Sequence, residues 1–121
     1  MKLNNKQIYE YAQNLSIFNN CNIKIPVRVN FYLQKNIQTI QQAANEIDNA
    51  RLNLGAQYGV PNKAGNGYDI LPENIQEVNK ELADLFALEQ DINIHIFKID
   101  DFDGLELEYK QMSAIMFMIE E

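Results

Sequence analysis

Few residues in this chain have the types and spacing needed for chemistry. Cys21 and His95 are its only thiol and its only imidazole. A Cys-His pair makes a nucleophile only with a group that orients the imidazole and donors for an oxyanion, and the sequence marks neither. A turn cysteine and a histidine on the polar side of a strand is the simpler reading. Asp101-Phe102-Asp103-Gly104 has the look of a calcium loop. With Gly104 at the sixth position, however, the first ligand would be Ile99 and the last Lys110, and neither side chain binds the ion. A tight acidic turn is expected there. Gly65-Asn66-Gly67 lacks both the third glycine of a dinucleotide fingerprint and the Gly-Lys-Ser/Thr of a phosphate loop, which leaves an exposed loop. The expectation is a non-enzymatic protein with no cofactor and no metal site.

Charge is more informative. Residues 1–63 carry seven Lys/Arg against three Asp/Glu, while residues 64–121 carry three against fourteen, so a half of +4 precedes a half of −11. Such a split fits self-association of opposite ends, or an acidic face aimed at a basic partner. It argues against direct nucleic-acid binding by the whole protein, which needs a net basic surface. The carboxylates Asp91, Asp100, Asp101, Asp103, Glu106 and Glu108 gather in one stretch and are the candidate partner-binding residues. They would either imitate the spaced charges of nucleic acid or enter a basic groove, against the plainer role of a solvated edge that discourages aggregation. Lys24, Arg28 and Lys35, with Phe31 and Tyr32 between them, combine cations with rings, but three charges are too few to hold a nucleic acid. The Met112, Met116 and Met118 set is adaptable packing material.

These residues are positioned by helices. Asn4 or Asn5 can cap a first helix with its apolar face at Ile8, Tyr11, Ala12, Leu15 and Phe18. From Pro26 or Val27 to Gly59 the apolar side chains Leu33, Ile37, Ile40, Ala44, Ile47, Leu54 and Tyr58 recur at helical steps, with Arg51 in the one polar gap. Alternation over residues 23–29 leaves a short strand as the fallback at its start. Gly55 implies a frayed or closely packed last turn, and Pro61 stops the helix from resuming. Tyr68 to Ile70 reads as a short strand. Pro72 opens a third helix with the stripe Ile75, Val78, Leu82, Leu85 and Phe86. Ile92 to Ile99 alternates as a strand and Leu105 to Leu107 would pair back on it, before a helix from Tyr109 to Ile119. The expected fold is α+β, mainly helical: a single domain over 1–121 with a long central helix, three further helices and a small β-hairpin. A lone cysteine and the lack of a long apolar run point to a cytoplasmic setting without a membrane span.

The segments Pro26-Val27-Arg28-Val29-Asn30-Phe31-Tyr32-Leu33-Gln34-Lys35-Asn36, Glu46-Ile47-Asp48-Asn49-Ala50-Arg51 and Tyr58-Gly59 carry a resemblance, as does the ending Lys110-Gln111-Met112 to Phe117-Met118-Ile119-Glu120-Glu121. Over nearly its full length the chain resembles a family of small proteins of unknown function encoded by phages and prophages of low-GC Gram-positive bacteria. The resemblance implies a phage-encoded protein acting in the host cytoplasm. Small size, acidity and a long presenting helix then suggest an inhibitor of a host antiviral defence protein or nuclease complex, similar in role to an anti-CRISPR protein. The alternative is a virion assembly or tail accessory protein that self-associates, as a homo-oligomer, through its long helix.

Overall fold

The computed structural model describes residues 1–20 and 24–120. A short strand, β1 (Lys2–Asn4), leads into α1 (Asn5–Leu15). Asn4 caps this helix: its Oδ1 accepts the Gln7 N–H at 2.7 Å, and Gln7 Oε1 accepts the Asn4 N–H at 2.9 Å. Two amides that a helix start would leave unpaired are thereby satisfied. A 3-10 turn, Ser16–Asn20, follows and buries Phe18.

The central helix α2 (Val27–Tyr58) has 32 residues, about 48 Å at 1.5 Å per residue. Helix from Val27 onward replaces the fallback strand, and residue 23 of that stretch lies outside the described residues. The apolar stripe is buried from Leu33 to Ile47, joined by Val29, Ala43 and the polar Asn36. Ile8 and Leu15 of α1, Ile40 of α2, and Ile115 and Met118 near the end of the chain have no exposed surface at all. The core therefore sits on the first two thirds of α2, clamped by α1 and the C-terminal elements.

Beyond that core, α2 continues to Gly59, where the backbone turns extended and begins a hairpin of β2 (Gly59–Pro61) and β3 (Tyr68–Ile70). Gly55 is closely packed: a Cβ there would lie 3.0 Å from the Tyr68 ring. The six-residue loop is stapled by Asn62, whose side chain donates to Asn66 Oδ1 at 2.9 Å and accepts the Asn66 N–H at 3.2 Å. After a 3-10 turn, Pro72–Asn74, α3 (Ile75–Ala87) buries Val78 and half-buries Leu82, Leu85 and Phe86, while Ile75 is exposed.

The mainly helical α+β expectation stands, but the hairpin is at 59–70 and not at 92–107. β4 (Glu89–Asp91) pairs antiparallel with β1, and β5 (Phe97–Lys98) pairs in parallel with β6 (Ile119–Glu120). Leu105 to Leu107 forms no strand. The last helix, α4 (Tyr109–Ile115), stops four residues early: a 3-10 turn, Met116–Met118, delivers Ile119 and Glu120 to β5 in extended form. Of the C-terminal methionines, Met118 is buried, Met112 is half-buried against the core and Met116 is exposed.

Candidate protein-binding ridge

In the stretch from Lys98 to Glu108, Phe102, Leu105 and Leu107 pack inward, Asp100, Asp103, Glu106 and Glu108 are exposed with Ile99, and Asp101 is half-buried. Ile99–Phe102 forms a 3-10 turn in which Asp101 Oδ2 accepts the Lys98 N–H at 2.9 Å. Phe102 is buried, its ring 5.1 Å from that of Phe97 in an edge-to-face pair. Gly104 takes a left-handed φ of 81° to complete the turn, a conformation costly for any residue with a Cβ. Leu105 and Leu107 then pack against the core while Glu106 and Glu108 are exposed. Gln111 Oε1 accepts the Glu108 N–H at 2.9 Å, which ties the end of the run to the start of α4.

Of the six candidate residues, five lie on this ridge: Asp100, Asp101, Asp103, Glu106 and Glu108. Asp91 stands apart on β4, in register with Lys2 of β1. Among the described residues the ion pairs are Lys2 with Glu89 at 3.6 Å and Arg51 with Asp48 at 3.4 Å, so no ridge carboxylate is in a direct ion pair. Exposed pairs such as Lys2–Glu89 contribute little.

Cys21 lies outside the described residues. His95 is exposed, with its ring stacked 4.0 Å from Tyr32 and edge-on to Phe97 at 4.7 Å. Its backbone is held by Asn36, a residue the apolar stripe concealed: Asn36 Oδ1 accepts the His95 N–H at 2.8 Å and Asn36 Nδ2 donates to the His95 carbonyl at 2.9 Å. A polar residue three positions after Leu33 on a buried stripe was the available signal. Asn5 plays a similar part, donating to the Leu85 carbonyl at 2.8 Å and accepting from Gln90 Nε2 at 2.7 Å.

Between α1 and α2 the Tyr9 hydroxyl donates to Asp48 Oδ1 at 2.8 Å. That bond, then burial and the Asp48 charge, raise the phenol above its ordinary value, with Arg51 opposing. A pKa raised by folding stabilises the native state fully below the unfolded value, about 10, and the contribution fades as pH rises through the native value. Wild-type protein should therefore lose stability faster than Tyr9→Phe above about pH 10, as read from urea melts across the alkaline range. Parallel curves for the two would reject this linkage.

Shallow grooves of about 310 to 350 Å³ flank the helices. Among the described residues no three of His, Cys, Asp and Glu gather as a metal site, and no helix is long and apolar enough to cross a membrane. Compared with protein-family models, curated proteins and solved structures, the chain matches none.

Proposed function

We propose that this is a phage-encoded, non-enzymatic protein-binding protein that inhibits a host antiviral nuclease or defence effector from the host cytoplasm. The observation that carries the reading is the ridge itself: five carboxylates within nine residues, anchored inward by Phe102, Leu105 and Leu107 and, among the described residues, in no direct ion pair. Like charges held this close repel one another, at a cost to the folded state that a basic groove on a partner would relieve. The ridge is fixed by core packing, so little conformational freedom is lost on binding. No nucleic acid or membrane is required as a partner.

The test is an affinity pull-down from infected host lysate, with salt varied. Wild-type protein should retain a nuclease or defence complex that high salt releases. Charge reversal at Asp100, Asp103 and Glu106 should abolish capture with the fold intact by circular dichroism. Capture that survives the reversal would end this reading. The second reading, virion assembly through the long helix, is favoured by the way α2 runs past the core to expose Leu52; it calls for recovery of phage structural proteins instead.

A further inference from the structure

The opposite charge of this chain sits at the start of α2. Residues 11–45 contain no Asp or Glu, and Lys24, Arg28 and Lys35 there are all exposed. Val27 and Phe31, one turn apart, are 85% and 60% exposed, far more than side chains of their kind need be on a helix that has a core to face. Lys35 Nζ lies 5.9 Å from the Phe31 ring centre. An exposed apolar pair ringed by cations marks a contact surface.

This patch and the acidic ridge are joined by a continuous ladder of rings. Phe31 meets Tyr32 edge-on at 5.2 Å, Tyr32 stacks on His95 at 4.0 Å, His95 meets Phe97 at 4.7 Å, and Phe97 meets Phe102 at 5.1 Å. The cationic apolar patch and the anionic ridge are therefore linked through one run of packed rings. We infer that the cationic end of α2 docks on the acidic ridge of a second copy of this chain. Because both patches are near neighbours, a two-fold axis lets each copy present its patch to the other's ridge, and the contact closes as a dimer without growing into a filament. The inference goes beyond the partner reading: the same carboxylates serve both, so self-association and capture of a host protein exclude one another.

Purified protein alone tests it, with sedimentation as the readout and circular dichroism melts as the folding control. Wild-type protein should dimerise weakly at low salt and dissociate at 1 M salt, where screening acts over about 3 Å. Arg28→Glu/Lys35→Glu and the triple reversal Asp100→Lys/Asp103→Lys/Glu106→Lys should each dimerise about tenfold more weakly or not at all, since each would bring like net charges together twice. Mixing the two variants should restore association, because both cross-contacts are then of opposite sign. Phe31→Ala, at an exposed position that the fold does not need, should weaken the wild-type dimer. A wild-type chain that stays monomeric at millimolar concentration in low salt would overturn the inference, as would folded variants that fail to associate on mixing. So would monomeric protein that retains single-stranded oligonucleotide through Arg28 and Lys35. Host partner capture is absent from every arm, so the two readings fail separately.

Discussion

Phe97→Ala should lower stability by about 3–5 kcal/mol, measured as a drop in the urea midpoint at constant slope. Phe97 is 1% exposed and sits where three parts of the chain meet: its ring contacts His95 and Phe102, and its backbone pairs with Ile119 of β6. Truncation removes the buried area and leaves a void that fixed neighbours cannot fill. For a domain of this size, with a total stability of roughly 5–15 kcal/mol, the variant would be near its folding limit. Phe102 would lose the ring it packs on, so the ridge should loosen before the rest of the molecule unfolds. Faster amide exchange over residues 98–108 than over α1, at equal loss of global stability, would report this. A loss under 1 kcal/mol would mean that Phe97 is not the keystone of this end.

The position of Phe97 also explains which parts of the fold were legible in the sequence. Local signals were reliable where a single element satisfies its own backbone. Asn4 or Asn5 was the expected cap of α1 and Asn4 takes that place, the four-and-three stripe from Leu33 to Ile47 marks α2, and Gly59 with Pro61 marks its end. The stretch from Ile92 to Leu107 misled because its partners are remote. Ile92 exchanges hydrogen bonds with Met1, at 2.7 and 3.0 Å, and His95 bonds to a side chain of α2. β5 finds β6 more than twenty residues later. Alternating isoleucines announce an extended chain half-buried on a core, and they carry no information about which group meets its amides. The same limit applies to the ridge. Its charge was readable as a run of carboxylates from Asp100 to Glu108, but the inward anchors and the cationic patch depend on packing across α2.

Asn36 is where that packing is most exposed to test. Its amide does for His95 what an adjacent strand would do, one donor and one acceptor in register, and it is 2% exposed with Met118 Sδ 3.4 Å from Nδ2. Asn36→Ala leaves both His95 backbone groups without that partner, at about 2 kcal/mol given that water reaches this residue from one side. Asn36→Asp is the sharper variant. An ionised carboxylate still accepts the His95 N–H but turns an oxygen toward the His95 carbonyl, and it places a charge in the core. Both effects favour the protonated form, so this Asp would have a native pKa above its unfolded value. Stability of the variant should then rise as pH falls from 7, because the neutral acid can donate to the carbonyl as the amide did. Asn36→Ala introduces no ionisable group and serves as the control. In urea melts the Asp variant should be less stable than the Ala variant at neutral pH and should approach or pass it in mild acid. A deficit that does not change with pH relative to Ala would mean that the backbone of His95 is held by something other than this amide.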